Sequence, residues 1–407
     1  MATVVEVGFD LTSTGGPFLS LDDPIAGQLD NSNWVLAGYL FVDISNYVND
    51  VSIRRGRNRQ LDRFGAGGAS ITLNNENRTF DPTYTASPYY GNIVPRREIR
   101  ISTDGIRQFT GVIDDWNLNY STSFRSEAEA VASDGFTILA GQVITPGTAI
   151  AQSSGSRINA ILSDPKVDWP LSRRNIDTGV ANLGNDVIQP NTNALSYLQL
   201  VETSEQGSFF IAKNGDATFL DRTVGPASSG VVTFADDGTG VPFIASSVQY
   251  GTEYLYNQVQ LSSVITGATA IAEDLDSQVA YGISNLTIDG LLVDTNAQLE
   301  NTAVFLAQLY SQPDYRFDGI EVILDSLTTA QKTDILNIEI GSVCKIIFTP
   351  NNIPPSIVKY AEVISISHKI NPDSHKISFG FSTLDFTYLV LDDAQFGKLN
   401  SGNALSY

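Results

Sequence analysis

Apolar and polar residues alternate with a period of two in several short runs between Phe41 and Ala132: Ala69-Ile71-Leu73, Ile99-Ile101, Trp116-Leu118-Tyr120 and Ala128-Ala130-Ala132. Such spacing sends successive side chains to opposite faces of a strand, one into a core and the other into water. Asp104-Gly105 separates two of these runs, and the dipeptide predicts a tight hairpin because glycine accepts positive φ. The pattern predicts an antiparallel sheet curled toward a barrel. Beyond it the period changes. Arg157 to Leu162 predicts a short helix that stops before Asp164-Pro165. Ala194, Tyr197, Leu198 and Val201 lie on one face of a helix starting near Thr192 or Asn193 and ending at Gly207. SFFIAKNGDATFLDR follows at once, two apolar runs joined across Asn214-Gly215 as a second hairpin.

Residues 224–242 are rich in Gly, Ser, Asp and Pro and predict a loop, without the Lys and strand–helix setting of a phosphate-binding loop. Strands resume near Val248 with SVQYG and YNQVQLSSV. Thr295 and Gln298 predict a capping box opening a helix whose inner face is Leu299, Ala303, Leu306 and Tyr310, closed before Pro313. Thr328 and Gln331 predict a second box and a shorter helix ending near Leu336. A last sheet holds SVCKIIF and VKYAEVISISHKI, which turns at Asn371-Pro372-Asp373-Ser374 into HKISFGFS. There Ile364, Ile366, His368 and Ile370 share one face, opposite His375, Ile377, Phe379 and Phe381. With Ile370 facing His375, the histidines are diagonal neighbours. Partly buried histidines closing a hairpin are expected rather than zinc ligands, since zinc takes three or four ligands and only distant Cys344 or carboxylates remain.

Charge changes this picture. The 407-residue chain carries a net charge of −21, yet Arg54 to Arg107 holds ten of its 24 basic residues against five acids. That window is +5 and the remainder −26. One reading is a solvated acidic surface; the other is a basic contact patch for an acidic partner, with acidic walls elsewhere that repel a polyanion. Whole-chain acidity argues against gripping nucleic acid, because grip comes from neutralising phosphates. The candidate partner interface is Arg54, Arg55, Arg57, Arg59 and Arg63, whose guanidinium forks suit carboxylates of a neighbour.

Candidate chemistry is sparse. One cysteine excludes a disulfide framework, and two histidines leave little for acid–base work. Asp114 and Asp115 sit next to each other on a strand and so face opposite ways, unlike a glycosidase pair. No Gly-x-Ser-x-Gly elbow or His-Glu-x-x-His motif occurs, so no enzymatic role, cofactor or metal is expected. The opening MATVVEVGFDLTSTGG predicts no secretory signal, and no apolar run reaches the roughly 20 residues of a membrane span. Asp22, Asp23, Asp30 and Asn31 offer oxygens for calcium but not at EF-hand spacing, and a solvated arm is expected there.

SIRRGRNRQLDRFGAGGASITLNNENRTFDPTYTASPYYGNIVPRREIRI followed by FTGVIDDW closely resembles minor tail proteins of long-tailed bacteriophages and prophages. YLQLVETSEQGSFFIAKNGDATFLDR and ISHKINPDSHKISFGFS resemble two later regions of the same proteins. The resemblance implies a β-rich α+β fold of the tail-hub type, two barrel-like antiparallel β domains with smaller α+β insertions. In this sequence that implies a first barrel-like domain over 41–145 and an α+β insertion over 146–235, while the arm over 1–40 departs from that core, which does not require it. A second barrel-like domain over 236–407 would carry a helical insertion at about 295–337. It further implies a structural virion protein at the distal end of the tail, a homotrimer capping the tail tube. Its neighbours would be the distal tail ring and other tip or fibre proteins, with phage DNA met only in passage. Two alternatives stay open: a receptor- or carbohydrate-binding module using Tyr84, Tyr89, Tyr90 and Trp116, and a cell-wall hydrolase.

Overall fold

The computed structural model describes residues 2–9, 40–122, 125–223, 231–383, 387–388 and 403–404. Seven strands make the first lobe: β1 (Thr3–Phe9), β2 (Leu40–Asp43), β3 (Val48–Gly56), β4 (Gly68–Asn74), β5 (Glu98–Thr103), β6 (Ile106–Asn119) and β7 (Glu127–Ser133). They pair antiparallel in the order β3-β4-β7-β6-β5-β1-β2. The curl brings β2 back, through a 3₁₀ turn at Ser45–Tyr47, to the start of β3.

The predicted alternation fills this lobe. Ala69, Ile71, Leu73, Ile99, Ile101, Ala128, Ala130 and Ala132 join one core with Val51 and Ile53. Fully burying an Ile or Leu is worth roughly 1.5–3 kcal/mol, which fixes the register, since a one-residue slip would turn the whole set into water. Along β6, Trp116 and Leu118 only lean on the core. Tyr120 lies past the strand's end, 53% exposed, its hydroxyl donating to Asp81 Oδ2 at 2.6 Å. Asp104 and Gly105 both take positive φ, 48° and 81°, between paired Thr103 and Ile106, as a two-residue turn requires.

One sequence expectation changes here. Residues 3–9 are not solvated arm: β1 lies between β5 and β2, because Val5, Val7 and Phe9 supply a fully buried face. The Asp22, Asp23, Asp30 and Asn31 cluster falls outside the described residues.

The rest of the chain adds α1 (Gly135–Ala140), α2 (Ser154–Leu162), α3 (Ala194–Glu205), the hairpin β8 (Ser208–Ile211) and β9 (Ala217–Leu220), β10 (Val232–Ala235) and β11 (Ala245–Tyr250). Then come β12 (Gln258–Ser263), β13 (Thr269–Glu273), α4 (Leu275–Tyr281), β14 (Asn285–Leu291), α5 (Asn296–Tyr310), β15 (Tyr315–Ile323) and α6 (Thr329–Asn337). The chain closes the second lobe with β16 (Val343–Phe348), β17 (Ile357–Asn371) and β18 (Ser374–Thr383). Fifteen-residue β17 is the seam between lobes. Its first part pairs with β16, its last part with β3, and β18 lines its other side. One continuous sheet therefore runs through both lobes. Tyr197, Leu198 and Val201 of α3 share a core with Phe209, Phe219, Ile346 and Phe379, while β12, β13, β14 and α5 enclose a smaller core of their own.

Local signals held where they closed on themselves. Asn193 caps α3 by accepting from Ser196 N–H, and the helix ends at Gln206 with φ 60° just before Gly207. Thr328 and Gln331 form a complete capping box. At Thr295 only half the box forms: Thr295 accepts from Gln298 N–H, but the Gln298 amide pairs instead with both backbone groups of Asn182, at 2.9 and 3.0 Å. Residues 232–235, expected as loop, are strand β10, paired parallel to β16 with Phe234 fully buried against Phe379. Ile370 faces His375 and His368 faces Ile377, as expected, but Phe381 faces Val363. Ile364 is the extra residue of a β-bulge, which shifts the register.

Candidate docking interface

The bulge and the arginine loop are one construction. β3 ends at Gly56, whose φ is +103°, and a Cβ there would lie 2.1 Å from Ile364 O. Only glycine fits. Arg57 N–H then donates to the same Ile364 oxygen at 2.9 Å, and the chain leaves the sheet as the loop 57–67.

The period of two decides what each arginine does. Val51, Ile53 and Arg55 share the inward face of β3, so Arg55 is buried, 2% exposed, at the junction of the lobes. Its Nη1 donates to Glu339 Oε1 at 2.7 Å, while its Nε and Nη2 find no acceptor. Glu339 Oε2 accepts from Lys213 N–H at 2.9 Å. The Lys213 ammonium donates to the carbonyls of Leu336, Asn337 and Ile338 at 2.9–3.1 Å, closing the negative end of α6. Burial pulls that amine down to about 8, with Glu339 opposing. Asp134 caps α1 through Phe136 N–H at 2.9 Å and accepts Gly67 N–H at 2.7 Å. Burial pushes its carboxyl up to about 7. Beside them the buried His368 Nδ1 and His375 Nε2 lie 3.0 Å apart, and burial holds both rings below the usual histidine range. Cys344 is buried in the second-lobe core, and no group of three or more metal-ligating side chains occurs among the described residues.

The other arginines stay outside. Arg54, on the opposite face of β3, is exposed and reaches Asn58 Oδ1. Arg57 lies 4.6 Å over the Phe64 ring and donates to Asp62 O at 3.2 Å. Arg63 is exposed and makes no hydrogen bond or ion pair among the described residues. These three line one groove of about 570 Å³, floored by Ser52, Ser70 and the small residues Gly65 and Ala66. Arg59 points elsewhere, 3.5 Å from Glu253, in a separate hollow with Tyr254 and Arg316. The fold thus gathers Arg54, Arg57 and Arg63, sets Arg59 apart and encloses Arg55.

Much of the wider basic window is matched within the chain. Arg78 makes two bonds to Asp81, at 2.9 and 2.7 Å, and hydrogen bonds from Tyr120 and Thr83, helped by Arg78, hold that carboxyl well below its usual range. Arg100 lies 3.4 Å over Phe41, and Arg107 is 3.7 Å from Glu6. The aromatic candidates are mostly structural. Tyr89 packs on Phe9 and Phe80, Trp116 stacks on Phe80, and Tyr84 lies under Arg78, leaving Tyr90 47% exposed. Asp114 falls at a register shift in β6, 4.0 Å from Arg96. Glu339 and Lys213 escaped the sequence reading because their partners lie 284 and about 124 residues away, beyond any local spacing.

No family model matches this chain, and no curated protein matches it. Solved structures do. The 43 kDa tail protein of prophage MuSo2 from Shewanella oneidensis aligns over 84% of this chain and 95% of its own, at 13% identity and a TM-score of 0.54. A tail protein from Neisseria meningitidis MC58 aligns over 94% of this chain and 96% of its own, at 12% identity and a TM-score of 0.59. Prophage tail protein gp18 from Listeria monocytogenes EGD-e aligns over 84% and 92%, at 11% identity and a TM-score of 0.51. At such identities the likeness is one of fold, and the β-rich, tail-hub-like fold of this chain is that of phage and prophage tail proteins.

Proposed function

We propose that this chain is a structural protein of a phage tail tip: a hub, assembled as a homotrimer at the distal end, that caps the tail tube and joins it to tip or fibre proteins. The observation that carries this reading is the alignment of 84–94% of the chain with tail proteins from three bacteria. The groove of Arg54, Arg57 and Arg63 is its docking point for carboxylates of a neighbouring tail protein, and Arg59 adds a second contact. Arg55 serves inside the subunit, tying the lobes together. An acidic lumen lets DNA pass without finding cationic partners.

The test is charge reversal in particles. Arg54→Glu with Arg63→Glu should leave a folded protein and block tail assembly, and particles that assemble normally would remove the docking role. Native mass measurement should give three copies. Antibodies against the chain should decorate the far end of the tail; decoration elsewhere would end the hub assignment. Glycan-array binding by the isolated chain would favour a receptor-binding module instead.

A further inference from the structure

Under the arginine loop lies a cavity of about 360 Å³ with two unlike walls. One wall is apolar, formed by Leu286 and Ile288 of β14 with Phe305 and Leu309 of α5. The other carries Glu202, from the last turn of α3, and Glu362, from β17. Glu202 is 4% exposed. Its Oε1 accepts Phe209 N–H at 3.1 Å, but its Oε2, equally buried, has no hydrogen-bond partner. A hydrogen bond left unmade at a buried carboxyl oxygen is costly. Arg57 and Arg63 stand near enough to favour the Glu202 carboxylate, yet neither forms an ion pair with it. Arg57 is engaged with Phe64 and Asp62. Arg222, the third arginine on the rim, is taken up by Glu205 at 3.3 Å and Thr302 at 2.9 Å. Glu202 therefore lies just beneath the cleft wall, and none of the three arginines lining the cleft forms an ion pair with it.

We propose that this cleft is a receptor for one cationic side chain, a lysine or arginine of a partner polypeptide, whose stem lies on Leu286, Ile288 and Leu309 and whose head meets Glu202 and Glu362. The volume fits one long side chain, and an aliphatic stem with a charged end is what two such walls complement. Charge agrees. Burial pushes the carboxyls of both Glu202, to about 7, and Glu362 above their ordinary range. An entering cation relieves that penalty by giving buried Glu202 and half-buried Glu362 a counter-charge. The cleft shares Arg57, Asp62 and Arg63 with the arginine groove but would take the opposite charge, and binding of a small cation to the isolated chain reads it without reference to tail assembly.

The experiment uses the full chain with labelled Leu and Ile methyl groups and N-acetyl-arginine amide as probe. Saturable shifts at Ile288, Leu286 and Leu309 methyls are expected, with a dissociation constant on the order of 1 mM for a ligand of this size. N-acetyl-lysine amide should act alike, while uncharged N-acetyl-norleucine amide should bind at least about 10-fold more weakly. Glu202→Gln with Glu362→Gln should weaken the arginine probe by a similar factor, with Ile99 and Ile101 methyls in the first lobe unchanged as the folding control. Equal binding of norleucine amide overturns the proposal without any variant. So does undiminished binding by the folded double variant, or the absence of any shift at tens of millimolar probe. Preference for N-acetyl-glutamate amide would assign the cleft to Arg57 and Arg63 and overturn it as well.

Discussion

At the seam between the lobes, Arg55 meets Glu339 at 2.7 Å, Lys213 meets three helix carbonyls, and Asp134 accepts two N–H groups. Under the 57–67 loop, Glu202 is as deeply buried but keeps an oxygen without a partner, and Glu362 has no counter-charge in contact. Both regions hold charge beside β17, yet at the seam Arg55 and Glu339 form an ion pair, although two Arg55 nitrogens find no acceptor, whereas under the loop neither Glu202 nor Glu362 forms one. The difference teaches how to separate structure from docking. A buried charge whose partner lies elsewhere in the same chain fixes how the pieces sit together, whereas one left open marks where something else arrives.

The strongest way to break the comparison is at the matched site. Glu339→Ala strips the counter-charge from Arg55 and should cost about 3–5 kcal/mol in denaturant unfolding. A loss below about 1 kcal/mol would mean that the seam is not held by that pair. The open site should respond with the opposite sign and to pH. Because the Glu202 carboxyl is pushed up to about 7 in the fold, the stability it contributes is full at acid pH and drains away as pH rises through 7. Glu202→Gln removes that drain. Relative to the parent it should gain stability between about pH 5 and 8, by up to roughly 3 kcal/mol. A flat difference across that range would place the Glu202 carboxyl in ordinary solvent. The smallest effects belong to the exposed arginines: Arg59→Ala and Arg63→Ala should each stay within about 0.5 kcal/mol of the parent in unfolding. A larger loss would move them from docking to the fold.

Periodicity and capping, both local, determined most of the elements. Alternating Ala69-Ile71-Leu73 and Ala128-Ala130-Ala132 dictated strands, Asp104-Gly105 a two-residue turn, and Asn193 and Thr328 the starts of α3 and α6. The clustering of ten arginines was equally plain, as was the side of β3 on which Arg54 and Arg55 would lie once the strand was known. Which of them stays free was not legible, because the answer lies in Glu339 and Glu253, hundreds of residues along the chain. The same holds for β10, a strand only because β16 lies beside it, and for Gln298, drawn out of its capping box by Asn182. The Ile364 bulge followed from Gly56 arriving close beneath it. Local patterns carry short-range backbone preference; the pairing of charges and of strands distant in sequence depends on where the folded chain brings them, and only the tertiary structure decided that.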